Sequence, residues 1–271
     1  MARLTRQARI LGRTAIAFVV LVAASIPAAN AVEATTADTP HLNDIDGLGP
    51  MRDLEPGDSG AAVEEAQRRL ASAGLYHGPF DGEFGRTTSS AVLALHKLLG
   101  VERTSRFGIE DWLALEALAR PQVPNRPFEP DRLEIDIGNQ LMYLVQERRV
   151  TAILHTSTGG SYTYWSVRNG RNVRAGTPRG DFTLFRFDPG WRCDPVTDWC
   201  VYNYWAFTTY YGLHGYPSVP SYPASHGCVR LHTWDSDWLS QQLFLGMPVH
   251  IWDEMPDVHY EMSDGRFERL E

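Results

Sequence analysis

Cysteine is scarce in this chain, with three among 271 residues. Three thiols are too few for a disulfide framework or a four-thiolate metal site. No His-Glu-x-x-His pair occurs, which excludes the helix-borne zinc site of many peptidases. Positive charge is in deficit, with 25 Lys+Arg against 33 Asp+Glu. That balance argues against nucleic acid as a partner. Long hydrophobic runs are lacking too. The apolar stretch from Ala15 to Ala24 falls short of the roughly 20 residues that a membrane span needs. What is present is a 43% hydrophobic content, enough for an ordinary core, and room for one large or two modest domains.

The short apolar stretch follows Arg3, Arg6, Arg9 and Arg13 and precedes Ala29-Asn30-Ala31. A basic start, an apolar middle and a small-residue end read as an export signal over residues 1–31. The protein is expected outside the cytoplasm, in the cell wall or periplasmic space. Transient membrane association through the N-terminal segment is expected as well. With that segment removed, 21 Lys+Arg face 33 Asp+Glu, a formal charge near −12. Export makes disulfides permissible. Cys193 and Cys200 flank the turn-like loop Asp194–Trp199 and are expected to pair. Cys228 is then the odd cysteine, which in an exported protein is either intermolecular or a working thiol.

Residues 32–52 are polar and carry Pro40, Gly47, Gly49 and Pro50, the texture of a flexible tether. Three helical patterns fill residues 53–120. Asp58 or Ser59 can cap the first, with Val63, Ala66 and Leu70 on one face and Gly74 ending it. Thr87 or Thr88 starts the second, with Val92 and Leu95 inward and Gly100 as stop. The third holds Trp112, Leu115 and Leu118 and closes at Pro121. Residues 121–130 carry four prolines and suit a stiff linker. From residue 131 to 252 the period changes to two. Leu133–Ile137, Gln140–Val145, Val150–His155, Phe182–Phe187, Trp199–Thr208 and Pro248–Trp252 read as strands. Thr233–Leu243 reads as a helix, and the tail 253–271 is acidic and poorly patterned. The fold class is multidomain: a small three-helix unit, then a mainly-β, sandwich-like domain.

The chemistry gathers between His214 and Arg230. Gly, Pro and Ser are dense there, as in a surface loop. Cys228 is the plausible nucleophile, because a thiolate attacks carbonyls and a nearby imidazole can generate it. Two histidines compete for the base. His226 stands two residues from the thiol, a spacing that often points the ring away. His214 precedes a loop that returns to Ser225, so its imidazole can face the thiol from a neighbouring strand. His214 is read as base ahead of His226. The N–H groups of Gly227 and Cys228 are natural oxyanion donors, and a carbonyl such as that of Gly215 could fix the base's tautomer.

These residues resemble two known families. Leu54-x-x-Gly57-x-x-Gly60-x-x-Val63, Gln67-x-x-Leu70, Gly74-Leu75-Tyr76, Phe80-Asp81-Gly82 and Gly85-x-x-Thr88 are similar to the peptidoglycan-binding-1 module. His214, Ser225-His226-Gly227-Cys228, Val229 and Arg230 resemble the signature of YkuD-type L,D-transpeptidases. Ile135-Asp136-Ile137, Ser157-Thr158-Gly159 and Thr177-Pro178-Arg179-Gly180 support that likeness. The resemblance implies cysteine acyl transfer between peptidoglycan stem peptides, giving 3→3 crosslinks through a thioacyl-enzyme on Cys228. It implies no cofactor and no metal. It makes His214 the base, lets His226 and Gly227 shape the oxyanion site, and leaves Ser225 and Arg230 to support the loop or hold substrate. The segment Trp191–Tyr211 is unusually aromatic for the family; some of its rings could line a groove, while most are expected in the core. Alternatives are an L,D-carboxypeptidase using water as acceptor, a zinc peptidase built on His214, His226 and Cys228, and a non-catalytic wall-binding protein. Thiol counting on the denatured, unreduced protein should find one free cysteine, at Cys228; three free thiols would rule out the Cys193–Cys200 bridge.

Overall fold

The computed structural model describes residues 51–118 and 123–253, together with the backbone of residues 260–263 and 266–269. The export signal, its membrane association and most of the tether lie outside the described residues, as does Pro121. Three helices come first: α1 (Ala61–Ser72), α2 (Arg86–Leu99) and α3 (Ile109–Ala117). The cap of α1 differs from expectation. Gly60 is its N-cap with no side-chain bond, whereas the Asp58 carboxylate accepts the Glu55 N–H at 3.1 Å. Gly100 ends α2 with φ +67°, the left-handed conformation that glycine adopts without penalty. Buried Gln67 organises the turn between α1 and α2. Its amide donates to Asp81 Oδ1 at 2.8 Å and accepts from the Gly82 N–H at 3.1 Å.

The β domain is a sandwich of two sheets. The first has strand order β3 (Arg149–His155), β2 (Leu141–Gln146), β1 (Arg132–Asp136), β11 (Pro248–Trp252), β6 (Gly180–Thr183). The second has order β10 (Val229–Leu231), β9 (Gly212–Gly215), β8 (Cys200–Ala206), β7 (Arg186–Cys193). A separate hairpin, β4 (Thr163–Ser166) with β5 (Arg171–Arg174), had no clear signal in the sequence. Neither had the backbone hairpin of β12 (Tyr260–Ser263) and β13 (Arg266–Arg269) in the tail. The alternating run Phe182–Phe187 is not one strand. Leu184 donates its N–H to Met247 O beside the first sheet, and Phe185 donates to Ala206 O of the second. The chain changes sheets between those two residues. The remaining helix, α4 (Thr233–Ser240), packs on β8 and β9.

Strand β2 is buried on both faces. Met142 and Leu144 join Leu133, Ile135, Leu213, Val229 and Ile251 between the sheets. Leu141, Tyr143 and Val145, with Val150 and Ile153 of β3, join the core of the three helices. Exposing those five side chains would cost roughly 10 kcal/mol by area bookkeeping, as much as the whole stability of many domains. The helical unit and the β domain therefore share a core. Polar contacts reinforce it: Ile153 donates its N–H to Gly74 O at 2.7 Å, and His77 stacks on Trp238 of α4 at 3.9 Å. The proline-rich segment is also held, since Arg132 donates to Pro124 O at 2.7 Å and Arg148 to Pro127 O at 3.0 Å.

At this shared boundary Asp235 of α4 is buried and receives a hydrogen bond from Ser90 Oγ of α2 at 3.1 Å. Burial pushes its carboxyl up from 3.8 to about 7, with the Ser90 bond opposing. The folded value lies above the unfolded one, so the native state keeps a proton that the unfolded chain has released. This contribution is fully present below pH 3.8 and is lost as pH rises through about 7. Asp235→Asn keeps the shape and cannot ionise. Urea unfolding should find it level with the wild type at acid pH and more stable at pH 8, by on the order of a few kcal/mol. Parallel stability curves would reject a buried, proton-holding Asp235.

Candidate active site

The second sheet places the sequence-selected residues. β9 and β10 run parallel, with Leu213 opposite Val229 and His214 opposite Arg230. Leu213, Val229 and Leu231 point into the sandwich core. Alternation then sends Gly212, His214, Cys228 and Arg230 to the other face. There His214, Cys228 and Arg230 line a cleft of about 890 Å³ with His226, Trp199 and Tyr204. That volume is near the upper end of ordinary ligand pockets. Cys228 is half-buried and free, and Cys193 is bridged to Cys200 at the tip of the β7–β8 hairpin.

The loop before Cys228 is fastened at several points. Ser225 donates its N–H to Thr158 O at 2.9 Å and its hydroxyl to Cys228 O at 2.5 Å. Thr177 Oγ1 donates to Gly227 O at 2.8 Å. Gly227 has φ +142°, and a Cβ there would lie 2.3 Å from the Tyr211 ring. No other residue type fits that backbone and that space. Gly212 is confined in the same way, by Trp205 O at 2.3 Å and the Tyr204 ring at 2.6 Å from a built Cβ. One expectation needs correction. The Gly227 N–H donates to Ser225 Oγ at 3.0 Å, so it serves the loop rather than the cleft. Of the two donors expected from sequence, the Cys228 N–H is left for an oxyanion.

His214 is buried, with Nδ1 at 3.0 Å from Gly215 O. A carbonyl only accepts, so Nδ1 carries the proton and Nε2 is bare. Burial pushes this imidazole down to about 4, with the Gly215 bond opposing and Arg230 lowering it further. Burial pushes the Cys228 thiol up, against the opposing pull of the Gly212 N–H and Arg230. At neutral pH the two groups are therefore a neutral thiol and a neutral imidazole. His226 sits differently. Its ring stacks on Trp199 at 4.0 Å and meets Tyr164 of β4 edge-on at 4.3 Å. It joins two hairpins across the cleft, and the ion pair of Arg168 with Asp194 joins them again further out. Arg230 lies with its guanidinium over Tyr216, 4.4 Å from the ring centre.

Sequence reasoning missed Tyr164 and Arg168, because β4 and β5 carry no apolar alternation that would mark a strand. Of the aromatic segment, Trp199, Tyr204, Tyr210 and Tyr211 line the cleft, while Trp205 and Phe207 belong to the core. Among the described residues, no three His, Cys, Asp or Glu side chains are grouped to hold a metal ion.

A family model described as L,D-transpeptidase catalytic domain matches residues 130–251, and one described as peptidoglycan binding domain matches residues 59–111. An L,D-transpeptidase structure from Xylanimonas cellulosilytica is 33% identical, with TM-score 0.68, over 74% of this chain and 98% of that one. An L,D-transpeptidase structure from Stackebrandtia nassauensis is 20% identical, with TM-score 0.46, over 77% of this chain and 99% of that one. No curated protein matches.

The neutral pair predicts how Cys228 reacts with a simple alkylating agent. A thiol raised above 9.0 is under about 1% thiolate at pH 7. The rate with iodoacetamide should therefore keep rising as pH passes 9. A plateau already reached below pH 7 would indicate a preformed thiolate–imidazolium pair and reject this description.

Proposed function

The chain belongs to the L,D-transpeptidase family, and from that premise we propose that it forms 3→3 crosslinks between peptidoglycan stem peptides through a thioacyl-enzyme on Cys228. The observation that carries this reading is that His214 on β9 and Cys228, the residue just before the adjacent strand β10, line the same cleft. The bare Nε2 of His214 takes the thiol proton as sulfur attacks the carbonyl at the third stem position. The oxyanion meets the Cys228 N–H, a contribution of about 2.7–4 kcal/mol per donor in acyl transfer. His214 passes its proton to the departing D-Ala amine, and the thioester remains. The side-chain amine of a second stem then attacks. Its surplus proton goes to His214 and on to the leaving sulfur, which restores the resting thiol. A neutral starting pair suits this sequence, since each proton moves only as charge develops.

The positions of His226 and Ser225 favour supporting roles. His226 is held between Trp199 and Tyr164, and Ser225 spends its hydroxyl on the loop. Arg230 supplies positive charge beside the pair. The helical unit, with its likeness to peptidoglycan binding domains, fits a protein that works on the wall, and the setting is the cell wall or periplasm. Water in place of the acceptor amine would make the same site an L,D-carboxypeptidase.

Product analysis by mass spectrometry on a defined tetrapeptide stem separates these outcomes. Crosslinked dimer is expected, and tripeptide alone would assign the carboxypeptidase. Cys228→Ala should abolish both products. His214→Ala should lose on the order of 10²-fold or more, and His226→Ala far less. The reverse ranking would exchange the two histidines' roles.

A further inference from the structure

The loop from Tyr216 to Ala224 joins the strand that carries His214 to the segment that carries Cys228. Its ends are held within the β domain. Tyr216 donates its N–H to Leu231 O at 2.7 Å, and Ala224 donates to Thr158 O at 2.9 Å. Ser157 Oγ donates to Tyr222 O at 2.8 Å. Its middle is held from the helical unit. Arg103, between α2 and α3, donates through Nη1 to Ser221 O at 2.9 Å. Val219 O is 2.9 Å from His155 Nε2, and His155 Nδ1 is 2.5 Å from Nζ of Lys97 on α2. Lys97 is the only lysine in the chain, and it is 1% exposed.

Donor and acceptor counting constrains this chain of contacts. Val219 O can only accept, so His155 Nε2 carries a hydrogen. Lys97 Nζ also faces Gln140 O at 2.9 Å and Thr156 O at 3.0 Å, which likewise only accept. Satisfying all four contacts takes one proton beyond a neutral amine and a neutral imidazole. Either Lys97 donates three bonds as an ammonium, or His155 is protonated and Lys97 donates two. Both arrangements hold one positive charge, and none of the acceptors is a carboxylate. Burial opposes that charge at both sites, pushing Lys97 down to about 6 and His155 well below its ordinary value. A buried amine with no carboxylate partner is a poor device for stability, because a well-packed apolar side chain would serve better. It is a good device for direction, since every hydrogen has one place to go.

We infer that Lys97 and Arg103 are positioning residues: the helical unit sets the Val219–Ser221 stretch, and through it the relation of His214 to Cys228. This rests on the reading of Cys228 as the nucleophile with His214 as its base. It gives the helical unit a part in the chemistry beside any attachment to the wall.

The test uses the full chain. Arg103→Ala, Arg103→Lys and Lys97→Met are compared with the wild type by hydrogen exchange of residues 216–224. They are also compared by the iodoacetamide rate at Cys228, and by kcat and KM on a tetrapeptide stem. Arg103 is part-exposed, so its alanine variant should fold with an unchanged melting temperature. Faster exchange across Val219–Ser221 is expected, with the Cys228 rate and kcat falling together about tenfold, within the range that small misplacements cause. KM should stay within about twofold, because the loop middle is set by contacts away from the cleft lining. Arg103→Lys, which keeps one N–H for Ser221 O, should recover most of the loss. Lys97→Met should reproduce the kinetic loss; it also takes a donor from Gln140 O, Thr156 O and His155 Nδ1, so its melting temperature should fall and the kinetic comparison is made below that temperature. Unchanged Cys228 reactivity in a folded Arg103→Ala protein would overturn the inference, as would a loss that Arg103→Lys does not recover. Exchange and alkylation need no stem peptide, so they decide the matter even if the wild type forms no crosslink.

Discussion

Leu141, Tyr143 and Val145 look toward the helices while Met142 and Leu144 look toward the second sheet, and this double burial of β2 governs the architecture. A strand apolar on both faces needs a cover on each. The sandwich supplies one and the three-helix unit the other. With its back closed by helices, the first sheet can carry the second sheet and α4 on its front. The second sheet in turn directs the far face of β9 and β10 toward the cleft. The cleft floor therefore belongs to a stack whose middle layer depends on the helical unit. A module that resembles a separate wall-binding domain is thus also a structural wall of the β domain.

Much of the site was legible before any coordinates. Cys228 as odd thiol, its neighbours Ser225 to Arg230 and the return loop from His214 are local features. Glycine at 212, 215 and 227 in so short a span signals close backbone packing. What was not legible depended on where the chain changes direction in space. The run Phe182–Phe187 alternates perfectly as text, yet Leu184 and Phe185 bond to different sheets. Composition gave no sign of that step. The ends of the first two helices were readable from Gly74 and Gly100. The helical unit's shared core was not, because Leu141-Met142-Tyr143-Leu144-Val145 says that both faces are buried without saying against what. The Gly227 donor was misjudged for a related reason. A bare N–H in a nucleophile loop looks available until a neighbouring hydroxyl, here Ser225, is seen to take it.

The two reactive groups are kept neutral by the same cause acting in opposite directions. Burial raises an acid and lowers a base, so a thiol and an imidazole placed together below the surface both stay uncharged. Arg230 softens this for sulfur and sharpens it for the ring. A resting site of this kind spends nothing on separating charge before substrate arrives. It relies on geometry: the Gly215 carbonyl that fixes the ring, and the hairpins that close around His226.

The burial of Lys97 has a chemical consequence outside the contacts it makes. The thioester proposed on Cys228 would be an electrophile that any neutral primary amine could attack. Guanidinium groups do not compete, because they stay protonated far above neutral pH. With its one lysine sealed between α2 and β3, the protein offers no lysine amine along the cleft; the cations lining it, such as Arg171, Arg186, Arg192 and Arg230, are all arginines. In the proposed reaction an acyl group on Cys228 would sit among guanidinium groups that can attract an acidic peptide yet cannot take the acyl group for themselves.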